Sequence, residues 1–330
     1  MKEARLWVVA LLLAAASLIA ACGGDDEGDG GATGTATAPA ESEFAAFDCD
    51  GEYAGTEPDA SAFPLEVTDD GREAVSLEAP PSAIVSLSAA HVEVLYAIGA
   101  GDQLVAGDLF SDCPKAASEL AQLDSFTPSV EAITALEPDL VVLGFPDPDL
   151  EEALAGVGVS SLLLESPADV DGVMDDMRLL GRVTGHEEEA QALTVSMEER
   201  IDEIVADLPE GEAPSVFHEV DNTLYSAGPG SFVGDLYEIL KVENIAEATG
   251  EAFPLMSQEA IIAAAPDVII LADEAAGESA ETVKARPGWD TIPAVQNDRI
   301  YPVDPDIISR PGPRLVEALE TLAGLLYGER

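Results

Sequence analysis

Two stretches of this 330-residue chain are near copies of each other. Ser129-Val-Glu-Ala-Ile-Thr-Ala-Leu-Glu-Pro-Asp-Leu-Val-Val-Leu143 is matched, at a constant offset of 128 residues, by Ser257-Gln-Glu-Ala-Ile-Ile-Ala-Ala-Ala-Pro-Asp-Val-Ile-Ile-Leu271. Each copy reads as a short helix that opens on a Ser cap with Glu in its first turn, stops at Pro-Asp and feeds a buried strand. Recurrence a domain's length apart predicts two similar lobes, and two lobes predict a cleft between them. The surrounding rhythm agrees. Short apolar runs at 84–88, 104–107, 140–143 and 160–164 alternate with helical patterns at 91–98 and 151–157. Strands at 215–220, 268–271 and 299–303 around a helix at 233–240 repeat the rhythm later. Such alternation predicts α/β lobes, each a parallel sheet covered on both faces, over 63–166 and 210–330. A hairpin turning at Asp70-Gly71 opens the first. Between the lobes, 167–209 carries two helical stripes separated near Gly185. At 1.5 Å per residue the stretch 187–208 spans about 33 Å, which predicts an interlobe helix acting as a strut.

The N-terminal residues read as a processing signal. Lys2 and Arg5 precede an apolar run, Leu6 to Ala21, that is short for a membrane span and ends in small residues, predicting a signal peptide over 1–21. Leu18-Ile-Ala-Ala-Cys22 resembles the bacterial lipobox, which implies lipid on Cys22 and attachment to the extracytoplasmic side of the cell membrane. Residues 22–62 form the expected tether and extension, Gly/Ala/Thr/Asp-rich as far as 43. Cys49 and Cys113 remain as a candidate disulfide in an oxidising compartment. A formal charge of −51, from 65 acids against 14 bases, excludes a nucleic-acid role. Both life at high salt and a low-lysine composition fit that charge, which bears on solubility rather than fold.

The chain carries no Ser-His-Asp set, phosphate loop, Cys-x-x-Cys pair or dinucleotide fingerprint, so no enzyme is expected. A purely structural lipoprotein would not need a duplicated lobe with paired glutamates. Three histidines, His91, His186 and His218, are too few and too scattered for a bare-ion site, and neither a metal site nor a resident cofactor is expected.

Several motifs in consistent order, from about Phe63 to Leu326, carry a family resemblance. They are Ile84-Val-Ser-Leu-Ser, Glu93-Val-Leu-Tyr-Ala-Ile-Gly-Ala-Gly-Asp102, the paired Glu-Ala-Ile…Pro-Asp units, and Gly230-Ser-Phe-Val-Gly-Asp-Leu. Asn244-Ile-Ala, Pro287-Gly-Trp289, Asp298-Arg-Ile-Tyr and Arg310-Pro-Gly-Pro-Arg314 complete the set. The chain resembles the solute-binding proteins of ABC importers for cobalamin, ferric siderophores and haem. The resemblance implies two Rossmann-like α/β lobes joined by a long backbone helix, with the ligand cleft between them. It also implies that a monomer hands its ligand, a cobalt- or iron-containing chelate, to an ABC permease dimer. Cobalamin or a ferric siderophore is the expected cargo, with haem or a bare metal ion as alternatives.

On that resemblance Glu131 and Glu259 dock onto permease arginines. A Glu in a helix's first turn is also favoured by the helix dipole alone, but symmetric placement in two lobes favours docking. Ligand contacts are expected from loops at the cleft-facing strand ends: His91, Phe110, Phe126 and Phe145 in the first lobe, and Asn222, Tyr225, Ser231, Phe232 and Phe253 in the second. Arg310 is expected to meet anionic ligand groups, and Arg314 to sit in a structural ion pair. Two departures stand out. Cys113-Pro114 occupies a place where tyrosine-proline is frequent in the family, and His91 stands where a small residue is usual.

Overall fold

The computed structural model describes residues 44–211 and 213–328, which belong to one compact unit spanning Ser42–Arg330. The expected signal peptide and Cys22 lie outside the described residues. Among those described, no helix is long and apolar enough to cross a membrane.

An antiparallel hairpin, β1 (Leu65–Thr68) with β2 (Ala74–Leu77), turns at the expected Asp70-Gly71. Its acidic turn grips the edge of the first lobe. The Asp69 carboxylate accepts from Leu163 N at 3.3 Å, and that of Asp70 accepts from Glu165 N at 2.6 Å. An edge strand that would otherwise present free backbone groups is thereby covered.

The first lobe alternates β3 (Ile84–Leu87), α1 (Ala89–Ala97), β4 (Leu104–Asp108), β5 (Ala121–Leu123), α2 (Val130–Thr134), β6 (Leu140–Leu143), α3 (Pro148–Val157) and β7 (Ser160–Leu163). Its sheet is wholly parallel in the order β5-β4-β3-β6-β7. Chain direction across the sheet therefore reverses between β3 and β6, which opens a crevice at their C-terminal ends. Next come α4 (Val170–Thr184) and α5 (Glu187–Ala206). The second lobe holds β8 (Ser215–Glu219), α6 (Phe232–Ile239), β9 (Glu243–Asn244), α7 (Gln258–Ala264), β10 (Val268–Leu271), α8 (Ala280–Lys284), α9 (Pro293–Gln296), β11 (Ile300–Pro302), α10 (Pro305–Ile308) and α11 (Leu315–Tyr327). Its parallel sheet runs β11-β10-β8-β9, reversing between β8 and β10.

The duplicated segments fold alike, down to single atoms. Ser129 Oγ caps α2 by accepting from Ala132 N at 3.2 Å, and Ser257 Oγ caps α7 from Ala260 N at 3.1 Å. Ile133 and Ile261 are fully buried. The residue before each proline, Glu137 or Ala265, sits at φ 51, so a left-handed residue ends each helical segment ahead of its proline. Each aspartate then clamps the start of the neighbouring central strand. Asp139 accepts from Ser82 N and Oγ at 2.9 Å, and Asp267 from Ser215 N and Oγ at 3.0 and 2.9 Å.

Strand alternation distributes these lobes over three cores. In β6, Leu140 and Val142 face a large shared cluster, whereas Val141 and Leu143 face a cluster private to the first lobe. In β10, Val268 and Ile270 join the same shared cluster, while Ile269 and Leu271 face a second-lobe core around Phe217 and Trp289. The shared cluster takes in Met174 and Met177 of α4, Met197 of α5 and Leu319 of α11, so one apolar mass runs through both lobes.

The two stripes read in 167–209 fold as α4 and α5, the second being the long helix expected over 187–208. α4 and α5 form a tight hairpin through Gly185, which has φ +81 and ends α4. A Cβ on Gly181 would lie 2.4 Å from Ala190 Cβ, so glycine alone permits this approach. Both helices bridge the lobes. At one end Gln103 donates to Thr184 O at 3.1 Å; at the other Val170 N donates to Asp235, and Arg200 Nε to Glu320, each at 2.8 Å.

The N-terminal extension is fastened to the first lobe. Cys49 and Cys113 form a disulfide, Thr56 N donates to Gly99 O at 3.0 Å, and Asp59 N donates to Gly185 O at 2.8 Å. His186 belongs to this seam, its Nε2 lying 3.1 Å from Thr56 O. His218 is buried in β8 with Nδ1 2.8 Å from the Tyr237 hydroxyl.

Candidate functional site

The crevice expected from the strand reversal in the first sheet is present. A cavity of about 340 Å³ opens at the C-terminal ends of β3, β4 and β6. Ser88 to His91, Asp108, Phe110, Ser125, Phe126, Gly144, Phe145 and Ser166 line it from the first lobe, and Pro305, Asp306, Ser309, Arg310 and Pro311 close it from the second. Its wall is aromatic. Phe126 stacks on Phe145 with centroids 6.0 Å apart and meets Phe110 edge-on at 6.5 Å. Phe110, Phe126 and Phe145 are 59%, 71% and 55% exposed, a large apolar area to leave in water unless something covers it.

Ser88 Oγ caps α1 and sets His91 into the third helical position, where the ring lines the cavity yet is nearly buried. Burial pushes its imidazole down to about 4, so it is neutral at physiological pH. Its Nδ1 has no protein partner, nor do Asp108 Oδ2 and the Ser111 hydroxyl.

Arg310 lines the same cavity, but its guanidinium is already committed. It donates to Glu93 at 2.6 Å and pairs with Asp306 at 2.8 Å and Asp112 at 3.4 Å. Arg314 makes a bidentate pair with the same glutamate, at 3.0 and 2.7 Å. Glu93, on α1, is 1% exposed, so one buried carboxylate pins two arginines of the opposite lobe. Arg314 thus forms the expected structural pair. Arg310 lines the cavity with its charge balanced by local acids. The two prolines of Arg310-Pro-Gly-Pro-Arg314 stand ahead of the Arg314 N-cap rather than inside α11.

Of the residues expected to line a binding site, the cavity brings together His91, Phe110, Phe126, Phe145 and Arg310. Tyr225 and Phe253 are 40% and 59% exposed in loops beyond β8, flanking an antiparallel bridge between Tyr225 and Leu255, and Asn222 is exposed nearby. Ser231 and Phe232 turn inward instead. The Ser231 hydroxyl donates to Gly228 O at 2.7 Å and accepts from Gly234 N at 3.1 Å as the α6 cap, and Phe232 packs in the shared core. An N-cap and the apolar position after it are needed to start that helix, which is why neither faces open space. Asp108, Ser125 and the α10 segment escaped the sequence reading. Asp108 was findable as the last residue of β4; nothing in Pro305–Ile308 signalled a cleft wall.

The matching reversal in the second sheet is filled by the protein itself. Arg286 bridges buried Glu219 at 2.6 Å and Glu278 at 2.7 Å, and lies 4.5 Å over the Trp289 ring. Beside them Asp273 is 5% exposed with neither carboxylate oxygen partnered. Burial, with Glu219 and Glu278 adding to it and Arg286 opposing, pushes it up to about 7. Its ionised form therefore penalises the fold above neutrality. Asp273→Asn is expected to stabilise by on the order of 2 kcal/mol at pH 8, the gain shrinking as pH falls through 7 and vanishing below 4. Urea melts at pH 8 and pH 4 check it. Among the described residues no cluster of three or more metal-ligating side chains occurs.

Glu131 and Glu259 are exposed in the first turns of α2 and α7. Each follows closely in sequence on an exposed ring, Phe126 or Phe253.

Two parallel-sheet lobes locked by a helix pair around an aromatic cleft define a class of two-lobed binding proteins. Residues 84–307 match the family model described as periplasmic binding protein, and the chain belongs to that family. It is 31% identical over 274 residues to an uncharacterized ABC transporter substrate-binding lipoprotein, YvrC, of Bacillus subtilis strain 168, covering 80% of this chain and 86% of that one. It is 27% identical over 284 residues to a cobalamin-binding protein of Halobacterium salinarum, covering 81% and 75%. Among solved structures, the periplasmic vitamin B12-binding protein BtuF of Vibrio cholerae superposes with a TM-score of 0.65 at 25% identity, covering 75% of this chain and 97% of that one.

Proposed function

We propose that the protein is the extracytoplasmic solute-binding component of an ABC importer. It captures a metal chelate, cobalamin or a ferric siderophore, at the aromatic crevice and delivers it to a permease dimer. The observation that carries this reading is the wall of three exposed, mutually packed phenylalanines at the reversal point of a rigid two-lobed frame. Flat aromatic faces suit a macrocycle or a hydroxamate shell, and the neutral His91 imidazole beside them can approach a chelated metal. Its relatives, a substrate-binding lipoprotein and cobalamin binders, support the same reading. Anchoring through Cys22 completes it.

The test is a thermal-shift panel of corrinoids, ferric siderophores and hemin. A true cargo at a hundred times its dissociation constant stabilises the protein by about 2.7 kcal/mol. A panel that leaves the melting midpoint unmoved throughout would sink the proposal. Trp289 is fully buried in the second-lobe core, so its fluorescence is a poor reporter of the crevice.

A further inference from the structure

We infer that Asp108 makes the crevice selective for a neutral or cationic chelate that carries hydrogen-bond donors, and against anionic chelates. This rests on the chelate-binding reading above and specifies the chemistry of its cargo.

The charges around the cavity point one way. Arg310 is the one Lys or Arg among its lining residues, and Glu93, Asp306 and Asp112 already hold its guanidinium. His91 is neutral and supplies no compensating charge. Asp108 and Asp306 are also in the lining. Among the described lining residues, no uncommitted cation is therefore there to receive a propionate or catecholate.

Asp108 is 3% exposed and its two oxygens have separate fates. Oδ1 accepts from Phe110 N at 2.9 Å, a local turn that presents the Phe110 ring. Oδ2 is buried without any protein donor, and Nδ1 of His91, another lining residue, shares that condition. A buried carboxylate oxygen without a donor is unfavourable, and a ligand amide or ammonium N–H relieves it where a ligand carboxylate would worsen it. The phenylalanines take the flat face of a chelate, and Asp108 reads the donors on its edge.

Asp108→Asn separates the two oxygens, because the amide oxygen can still accept from Phe110 N while the negative charge is lost. Dissociation constants are measured by equilibrium dialysis for cyanocobalamin (neutral, amide-bearing), ferrioxamine B (cationic, amide-bearing) and hemin (two carboxylates). Wild type should bind one of the first two at least tenfold more tightly than hemin. D108N should weaken that ligand tenfold or more while leaving hemin unchanged or tighter. Hemin binding tightest to wild type overturns the inference and leaves the chelate reading standing. So does a D108N protein with a wild-type melting midpoint whose affinity for the amide-bearing ligand stays within twofold. If D108N fails to fold, the wild-type ranking decides. Absence of binding by all three overturns both readings.

Discussion

With Glu131 and Glu259 both changed to Arg, uptake of the proposed chelate into cells is expected to fall to background while affinity for it in solution stays within twofold of wild type. Both glutamates are exposed, and neither lines the cavity. Reversing them leaves the cargo site untouched. Under the docking reading, what should change is the encounter with permease arginines, where like-charge juxtaposition costs several kcal/mol. A single reversal should lose less than the double, since one correct contact survives. The helix dipole offers the competing account, in which the glutamates merely stabilise α2 and α7 by about 0.3–1 kcal/mol each. Under that account the double variant melts slightly earlier but transports normally. Paired uptake and binding measurements therefore separate docking from capping.

Glu93→Ala should destabilise the protein by about 3–5 kcal/mol, because it strands two buried guanidinium groups. Arg314 is 6% exposed and would keep only the Asp306 carbonyl at 3.1 Å; Arg310 would retain Asp306 and Asp112 at the cavity rim. Urea melts with an unchanged m-value give the number. Replacing the whole triad by apolar residues of similar volume should recover most of the loss, since the penalty lies in the orphaned charges. A Glu93→Ala protein within 1 kcal/mol of wild type would show that the lobes are held by the shared core alone.

Much of this frame was legible in the sequence because its strands are self-declaring. Ile-Val-Ser-Leu and Val-Ile-Ile-Leu are buried at every position, as central parallel strands are, and the Ser and Pro-Asp signals bracket α2 and α7 as read. β5 and β9 were not legible, since Ala-Gln-Leu and Glu-Asn carry neither an apolar run nor alternation and pair only through tertiary context. The break near Gly185 divided α4 from α5 as read, but a hydrophobic stripe reports which face is buried, not against what, so the close packing of the two helices at Gly181 was not legible. Exposed Phe110, Phe126 and Phe145 were found from loop position. The inward turn of Phe232 was missed because loop and helix meet at Ser231, and one residue's shift across an N-cap moves a side chain from rim to core. The ion pairs of Arg310 were not legible because two of its three carboxylate partners, Glu93 and Asp112, come from distant parts of the chain.

The paired Pro-Asp clamps have a consequence for how a loaded molecule could be told from an empty one. Each exposed glutamate rides on a short helix whose trailing residue is nailed to the central strand of its own sheet, and the sheets share one apolar mass. Under the docking reading, the spacing of the two glutamates is then set by packing rather than by cargo. A partner that grips both should meet the same spacing on every visit, and occupancy should be announced by whatever fills the space beside the three phenylalanines.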